Sequence, residues 1–302
     1  MNVTRRGFLR TVGAAGAAVA LGGCQALHRP QAPKPDLVVA VLSDTHVGKD
    51  GSEAPARQMA AAIREINASP AEFTLILGDL VDHGEKNETL YAKWNQIARG
   101  LRQPFYAIPG NHDPPELFTK HVRPETDYVV DRGAYRFVMF HDSDPSTHDG
   151  AVTARQVEWV AARIDEAAAS NRRAILCAHV PRHPSPASDM GWYIKTLGKE
   201  LAGMLDARRA AVLAFFAGHL HLVMRGWRDL AGICEVAMPS SCWNFEKDLS
   251  KSEGFATPDF RPGYVLAAFW GDRLSLGFKP IGGRPPDGPM PPPRGAAARS
   301  ET

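Results

Sequence analysis

Residues 37–46 read LVVAVLSDTH, an unbroken apolar run that ends abruptly in polar residues. Such a run suits a β-strand that is buried on both faces, because polar residues do not alternate with apolar ones. The same pattern recurs along the chain, where short apolar runs stop at clusters of Asp, His or Asn. This recurrence predicts a sheet whose strands end in polar loops.

Six runs of this kind are present, and helical stretches separate several of them. The runs occupy residues 37–42, 73–77, 105–108, 135–140, 174–178 and 211–216. Apolar residues repeat at helical spacing after Leu90, and Thr153 with Gln156 forms a capping-box signal for a second helix. Strands that alternate with helices predict an α/β domain with largely parallel pairing.

Two later segments, 233–239 and 263–280, look strand-like and lack an intervening helix. In the second segment, residues 271–273 (GDR) supply a hairpin turn. We expect both segments to complete a second sheet packed on the first.

The polar clusters after the strands carry residue types that bind metal ions. The clusters are SDTH at 43–46, GDLVDHG at 78–84, GNHD at 110–113, AHVP at 178–181 and GHLH at 218–221. Because ligands collect at the carboxyl ends of such strands, these clusters are expected to converge on one edge. Carboxylate, amide and imidazole donors suit Mn²⁺, Fe²⁺ and Zn²⁺ better than Mg²⁺. The glycines at 78, 110 and 218 are expected to allow sharp turns.

The ordered set DxH, GDxxDxG, GNHD, a lone His and GHxH resembles the calcineurin-like metallophosphoesterase family. The resemblance runs from Asp44 to His221, and residues 141–181 are also similar to the class III cyclic-nucleotide phosphodiesterase branch. It implies a four-layer α/β/β/α sandwich with mixed sheets. The implied activity is hydrolysis of phosphate esters, either phosphodiesters or phosphomonoesters, by a hydroxide that bridges two metal ions.

The resemblance also implies a role for each motif residue. The ligands of metal one would be Asp44, His46, Asp79 and His221, and those of metal two Asp79, Asn111, His179 and His219. The implied cofactors are two divalent ions (Mn, Fe or Zn). His112 would contact the phosphoryl or leaving oxygen as a general acid, and Asp82 would orient His112.

Substrate specificity is expected in the loops 113–134, 181–200 and 239–262. Arg182 and His183 follow a candidate ligand, so a substrate contact stays open for them. Trp243 could shape the pocket or simply pack against its neighbours. His148 is expected to be an exposed loop residue.

The first 23 residues predict a signal peptide, with Arg5, Arg6 and Arg10 before a short apolar run. Residues 4–9 (TRRGFL) resemble a twin-arginine signal, and residues 21–24 (LGGC) resemble a lipobox. These resemblances imply export to the periplasm or cell envelope and lipidation of Cys24, although an ordinary cysteine in a soluble secreted protein is the alternative. The predicted organisation is a signal peptide at 1–23, a tether at 24–36, a metallophosphoesterase domain at 37–280 and a disordered tail at 281–302.

Charge and cysteine content limit the other classes of function. Beyond the leader the chain carries 32 of its 35 basic residues against 33 acidic ones, and no basic block predicts a nucleic-acid-binding face. Apart from Cys24 three cysteines remain, so they do not form a disulfide framework, and a Cys234–Cys242 bridge stays open. The expected partner is a small phosphate ester, and the oligomeric state is open.

Two alternatives to the diesterase interpretation also stay open. The chain could be a phosphomonoesterase, since the same metal chemistry serves both ester classes. It could also be an exported lipoprotein that binds metal and phosphate without turnover. The pairing of His112 with Asp82 favours an enzyme, because a binding protein needs no proton donor.

Overall fold

The computed structural model describes residues 33–183, 191–228, 233–246 and 254–282. The predicted signal peptide, Cys24 and nearly all of the predicted tail lie outside the described residues, as does most of the predicted tether. Within the part of the chain that the structure describes, no helix combines the length and apolar character needed to cross a membrane. The described strands run from Leu37 to Pro280.

The first sheet has five strands in the order β14-β13-β1-β2-β3. They are β1 (Leu37–Leu42), β2 (Phe73–Leu77), β3 (Phe105–Ile108), β13 (Gly263–Trp270) and β14 (Arg273–Pro280). Strands β1, β2 and β3 pair in parallel, and β13 pairs antiparallel with both β1 and β14. This sheet therefore mixes three parallel strands with a C-terminal hairpin.

The second sheet has seven strands in the order β12-β10-β11-β9-β7-β5-β4. They are β4 (Tyr128–Arg132), β5 (Tyr135–Met139), β7 (Arg173–Cys177), β9 (Val212–Ala217), β10 (Arg225–Arg228), β11 (Cys234–Ala237) and β12 (Phe255–Ala256). Its central strands β5, β7, β9 and β11 are parallel, and its outer strands are antiparallel. A separate two-stranded sheet joins β6 (Gly150–Ala151) to β8 (Ile194–Thr196).

The two large sheets pack face to face, and helices cover their outer faces. Alternate residues of β1 show this directly, since Val39 and Val41 lie in the core between the sheets while Ala40 and Leu42 face helices. Residues from both sheets fill the central core, and two further apolar clusters lie beneath the helices. The predicted four-layer α/β/β/α arrangement with mixed sheets is confirmed.

Helices cover the two sheets as separate groups. They are α1 (Ala54–Asn67), α2 (Thr89–Ala98) and α3 (Pro115–His121) on the first sheet, and α4 (Ala154–Ala169) and α5 (Gly198–Asp206) on the second. The predicted capping box is present at the start of α4, where Thr153 accepts from the amide of Gln156 and Gln156 accepts from that of Thr153. A capped start fixes where α4 leaves the loop that precedes it.

The strand predictions agree with the structure closely, but the prediction for the C-terminal segments is only partly correct. Each predicted run forms a strand within one residue at either end, and the turn of the C-terminal hairpin lies at residues 271–272. That hairpin extends the first sheet beside β1 instead of completing the second, whereas β11 does join the second. On the side away from β2, the edge of β1 carries backbone groups that need partners, and β13 pairs with them antiparallel.

Cysteine chemistry does not tie the strands together. Cys177 lies fully buried in the central core, and both Cys177 and Cys242 are free thiols. A Cys234–Cys242 disulfide is therefore not formed. The described fold rests on apolar packing between layers.

Candidate metal centre

The carboxyl ends of five parallel strands from both sheets meet at one edge of the sandwich. Loops after β1, β2 and β3 in the first sheet and after β7 and β9 in the second carry the predicted ligands. Seven of them are buried together: Asp44, His46, Asp79, Asn111, His179, His219 and His221. The predicted convergence of the polar clusters therefore occurs, with strand ends contributed by two sheets.

The first donor group consists of Asp44, His46, Asp79 and His221, whose ligand atoms all lie within 4.8 Å of one another. Nε2 of His46 lies 3.0 Å from Nε2 of His221 and 3.2 Å from Oδ2 of Asp79. Oδ1 of Asp44 lies 3.3 Å from Nε2 of His221. Two carboxylates and two imidazoles around one point are a donor set that suits a first-row divalent ion.

The second donor group consists of Asp79, His179 and His219, again within 4.8 Å. Nε2 of His179 lies 3.4 Å from Oδ1 of Asp79 and 3.2 Å from Nδ1 of His219. Asn111 lines the same cavity, and within the described residues its buried Oδ1 accepts no hydrogen bond. A buried amide oxygen without a partner is costly, so this atom suits a fourth ligand.

Asp79 belongs to both donor groups and divides its oxygens between them. Oδ2 faces His46 in the first group, and Oδ1 faces His179 in the second. Oδ1 also accepts the backbone N–H of His112 at 3.0 Å. One carboxylate with an oxygen in each group is the arrangement that two adjacent cations share.

Each of the four imidazoles is fixed by an acceptor on the side away from the centre. Nδ1 of His46 lies 3.2 Å from Asp82, and Nδ1 of His179 lies 2.7 Å from the Leu77 carbonyl. Nε2 of His219 lies 2.8 Å from the His148 carbonyl, and Nδ1 of His221 lies 3.0 Å from the Trp243 carbonyl. The other nitrogen of every ring faces the donor groups. Outer acceptors of this kind set the tautomer of a metal-binding histidine. The residues present therefore fit two divalent ions.

The electrostatics of the metal-free centre agree with this fit. Burial opposes charge on His46 and His179, but the surrounding acceptors, Asp79 foremost and Asp44 among them, together raise their pKa values to about 9 and about 10. Burial likewise opposes charge on Asp44, but His221 and His179 together lower the pKa of Asp44 to about 2. Protons on histidines thus balance the carboxylates where cations would otherwise do so.

Backbone geometry around the centre depends on positive φ angles and on glycines. Five of the predicted ligands have φ between 39° and 70°: Asp44, His46, Asp79, His219 and His221. Gly78 has φ 83°, as its predicted role in a sharp turn requires, whereas Gly110 does not have a positive φ. Gly110 is needed for close approach, because a Cβ there would lie 2.2 Å from Oδ1 of Asp79.

The predicted acid His112 and its predicted partner Asp82 lie beside the first donor group. Oδ1 of Asp82 is 3.5 Å from Nδ1 of His112 and 3.2 Å from Nδ1 of His46. Asp82 is therefore closer to His46, a candidate metal ligand, than to His112, and the sequence did not predict the contact with His46. The amide of His83 also donates to Nδ1 of His112, at 3.4 Å.

Two buried carboxylates that the sequence did not single out hold the ligand loops in place. Asp113 accepts the amides of Leu80, Val81 and Gly110, which bracket the loops after β2 and β3. Asp142 accepts the amides of His179 and Val180 after β7. Their positions directly after His112 and His141 were the only signal in the sequence. A carboxylate that accepts hydrogen bonds from backbone amides has no sequence pattern of its own.

The segment 240–245 from the predicted specificity loop 239–262 packs against the first donor group. Ser240 and Ser241 donate through their hydroxyls to the carbonyls of Asp44 and Ser43. The ring of Trp243 stacks on His221 with centroids 3.8 Å apart, and Lys49 places its ammonium 4.7 Å from the Trp243 centroid. Trp243 therefore both packs and shapes the site.

A cavity of about 420 Å³ opens over the donor groups. It is lined at its periphery by Lys49, His83, Glu85, His112, residues 145–148, Trp192, Trp243 and Phe245. His148 is exposed, as expected, but it also lines this cavity. Arg182 and His183 are not among the lining residues. Both contact the buried carboxylate of Glu235, and these contacts hold the loop after His179 in place.

Comparisons with known proteins agree with the motif order and the geometry. The family model described as calcineurin-like phosphoesterase matches residues 37–223, which is more than half of the chain. The chain belongs to the calcineurin-like phosphoesterase family. Membership makes it a metal-dependent phosphoric ester hydrolase, and the alternative of a binding lipoprotein without turnover is disfavoured.

Two relatives of this chain have names that describe phosphodiesterases. The chain is 28% identical over 282 residues to a cAMP/cGMP dual specificity phosphodiesterase from Mycobacterium tuberculosis, covering 85% of this chain and 84% of that protein. It is 26% identical over 213 residues to a glycerophosphodiester phosphodiesterase from Enterobacter lignolyticus, covering 64% and 74%. The structure of a dimetal phosphatase from Danio rerio matches with a TM-score of 0.66 and 14% identity, over 81% of this chain and 96% of that one. This last likeness supports the fold.

The calcineurin-like family match ends shortly after the GHLH motif. Trp243, Ser240 and Ser241 lie beyond it, although they contact the donor groups directly. Trp243, which lines the cavity, therefore lies in a segment that the family match does not cover.

Proposed function

We propose that this chain is a dinuclear phosphodiesterase in which the two donor groups around Asp79 each hold one divalent ion. The observation that carries the proposal is the division of the Asp79 oxygens between His46 and His179. Metal one would be held by Asp44, His46, Asp79 and His221, and metal two by Asp79, Asn111, His179 and His219. Bound divalent ions in such a pair supply an acidified water and charge neutralisation for the phosphoryl group.

The protein's own residues set the orientation of the reaction. The carbonyls of Leu77, His148 and Trp243 and the carboxylate of Asp82 hold each imidazole in one tautomer, so the ligating nitrogens are in place before substrate arrives. Burial of the donor groups lowers the local dielectric and so strengthens the charge interactions among them.

His112 is the residue we assign to proton donation. Burial lowers the pKa of His112 to about 4, although Asp79 partly opposes this shift, so the ring is neutral near pH 7. To act as an acid the ring must first take up a second proton, at Nδ1 beside Asp82, and it returns to the neutral form when Nε2–H is donated. Two groups face Nδ1 of His112. The His83 amide can donate a hydrogen bond to it, and the Asp82 carboxylate can accept one from it. Nδ1 therefore has a partner in either protonation state, and Nε2 is available to the leaving oxygen in the cavity.

Diesters are favoured over monoesters by the two relatives named above and by the extent of the cavity. A phosphodiester has two organic groups, and the cavity extends beyond the donor groups at both ends. The cyclic-nucleotide and glycerophosphodiester names belong to those relatives. They make small phosphodiesters the substrate class that we propose for this chain.

A direct comparison of two chromogenic esters tests the proposal. Purified protein loaded with Mn²⁺ should hydrolyse bis(p-nitrophenyl) phosphate with a higher kcat/KM than p-nitrophenyl phosphate. Treatment with a chelator should abolish both reactions, and re-addition of Mn²⁺ should restore them. Activity confined to the monoester would establish the phosphomonoesterase alternative instead.

We further propose that the enzyme is exported and attached to the bacterial cell envelope through a lipid on Cys24. The support is the sequence of the leader alone, in which the arginine pair precedes a short apolar run and residues 21–24 read LGGC. A tether of about a dozen residues would then separate the lipid from β1.

A further inference from the structure

Trp192 and His148 form an aromatic stack at one end of the cavity. Their ring centroids are 4.3 Å apart with an interplanar angle of 25°, and both residues line the cavity. They come from separate segments, the loop before β6 and the segment before β8. The small parallel sheet of β6 and β8 holds those two segments side by side.

This stack lies at the opposite end of the cavity from the proposed acid. The Trp192 centroid is 5.4 Å from that of His219, in the second donor group. The His112 centroid is 4.7 Å from that of His46, in the first donor group. The two donor groups share Asp79 and so lie side by side. One end of the cavity is therefore next to His112, and the other end is next to Trp192.

The stack is held rigidly relative to the metal centre. The carbonyl of His148 accepts from Nε2 of His219, so the residue that supplies one ring also fixes a ligand. Trp192 packs against the buried Leu220 and Leu222, which flank His221. A platform fixed in this way can bind a flat group at low entropic cost.

Trp243, the other tryptophan of the cavity, is less suited to receive substrate. Its ring is already occupied by His221 at 3.8 Å, by His46 at 4.8 Å and by the ammonium of Lys49 at 4.7 Å. The exposed ring of His148 instead continues the Trp192 stack toward the cavity.

We propose that the Trp192–His148 stack binds the ester group that stays on phosphorus, and that it selects a flat unsaturated group such as a nucleobase or an aryl ring. The inference rests on the proposed function, because it takes His112 to mark the leaving-group end. In an in-line displacement the attacking and leaving oxygens are apical and the retained ester oxygen is equatorial. With the leaving oxygen beside the acid, the retained group leaves the attack axis sideways, into the part of the cavity that the leaving group does not fill. Stacking of a base on an aromatic side chain is a sequence-tolerant contact that every base can make.

The test uses two diesters that share one leaving group and differ in the retained group. The substrates are p-nitrophenyl phenyl phosphate and methyl p-nitrophenyl phosphate, assayed with Mn²⁺-loaded enzyme. The readout is the ratio of their kcat/KM values, aryl over methyl. We expect Trp192→Leu to lower this ratio about tenfold, which is the size of a lost stacking contact, and Trp192→Phe to retain most of it.

Matched variants keep the experiment decisive. His148→Ala removes the second ring but keeps the carbonyl that accepts from His219, so it should also lower the ratio while metal content stays at two per chain. Trp159→Leu removes a tryptophan on α4 remote from the cavity and should leave the ratio at the wild-type value. A wild-type ratio in both Trp192→Leu and His148→Ala would overturn the inference while the diesterase proposal stands. Failure of the wild-type enzyme to cleave either diester would instead defeat the proposed function.

Discussion

The carboxylate of Asp142 accepts the backbone N–H of His179 at 2.9 Å, and the same carboxylate accepts the N–H of Val180 at 3.1 Å. Asp142 is fully buried, so the main chain of a proposed metal ligand is held by a side chain that does not touch the metal position. Ligand geometry at this centre therefore depends on a second layer of residues.

Replacing this carboxylate should loosen the second metal site and weaken the fold. Asp142→Ala leaves two buried amides without an acceptor, which should lower the free energy of unfolding by about 1–3 kcal/mol. Affinity for the second metal should fall about 10–100-fold. Calorimetric titration with Mn²⁺ and a urea unfolding curve check both effects, and Asp144→Ala, in the half-exposed loop two residues on, is the matched control. Unchanged affinity in Asp142→Ala would show that His179 holds its position without this carboxylate.

Asp79 should control the occupancy of both metal positions, because each of its oxygens faces a different donor group. We expect Asp79→Ala to retain close to no metal, whereas Asp44→Ala should lose metal one and retain metal two. Elemental analysis of protein dialysed against excess Mn²⁺ measures the stoichiometry. His121→Ala changes a histidine that contacts Glu88 away from the centre and should keep both ions. Two ions in Asp79→Ala would be incompatible with a shared carboxylate.

His112 should contribute to turnover and little to metal binding. It lies with His46 and Asp82 in a third cluster of possible ligands, but it belongs to neither of the two donor groups that share Asp79. With general acid catalysis, His112→Ala should lower kcat by about 10²–10⁴-fold for diesters of poor leaving groups. The loss should be smaller for p-nitrophenyl esters, whose leaving group departs without a proton. Steady-state kinetics on a series of leaving groups measures the difference, and metal content provides the control. An equal loss across the series would mean that His112 binds the phosphoryl group without donating a proton.

The strands and the clusters of candidate donor residues could be predicted from the sequence, because each depends on a local pattern. A run such as residues 73–77 is apolar at every position, and the motif that follows it begins at the residue where the strand ends. The convergence of Asp79 with Asp44 follows from strand direction, since β1 and β2 are parallel neighbours that end at a common edge. The capping box before α4 is equally local.

The distribution of strands between sheets could not be predicted in the same way. Strands β2 and β7 are both buried along nearly their whole length, so their composition does not identify the sheet to which each belongs. Pairing of β13 with β1 depends on contacts across more than 200 residues of chain. The stack of Trp192 on His148 likewise depends on the pairing of β6 with β8.

The proposed lipid anchor makes a prediction about cell fractionation that is independent of the catalytic site. Cys24→Ser removes the thiol that a lipid would modify, so the mature enzyme should move from the membrane fraction to the soluble periplasmic fraction. Immunoblotting of the fractions measures this, with Cys242→Ser as a cysteine variant that keeps residue 24. An unchanged membrane fraction in Cys24→Ser would contradict lipid attachment at that residue.

Metal binding should release protons, and the direction follows from the two histidines whose pKa values are raised. In the metal-free centre burial disfavours the charged rings, but Asp79 raises the pKa of His46 to about 9 and that of His179 to about 10, from 6.5. Each charged ring therefore stabilises the metal-free fold below about pH 6.5, and this contribution is lost as the pH rises through 9 and 10. Metal ions bind the neutral rings, so near pH 7.5 binding should displace about two protons and affinity should rise with pH.

Calorimetric titration of metal-free protein with Mn²⁺ in buffers of different ionisation enthalpy counts the protons that binding displaces. His46→Gln should release about one proton fewer than the wild-type protein, because it lacks one of the two charged rings. The same titrations at several pH values should give affinities that rise until both rings are neutral. A binding heat that is independent of the buffer would show that the rings are already neutral, and the Asp79 carboxylate would then be balanced by other charges.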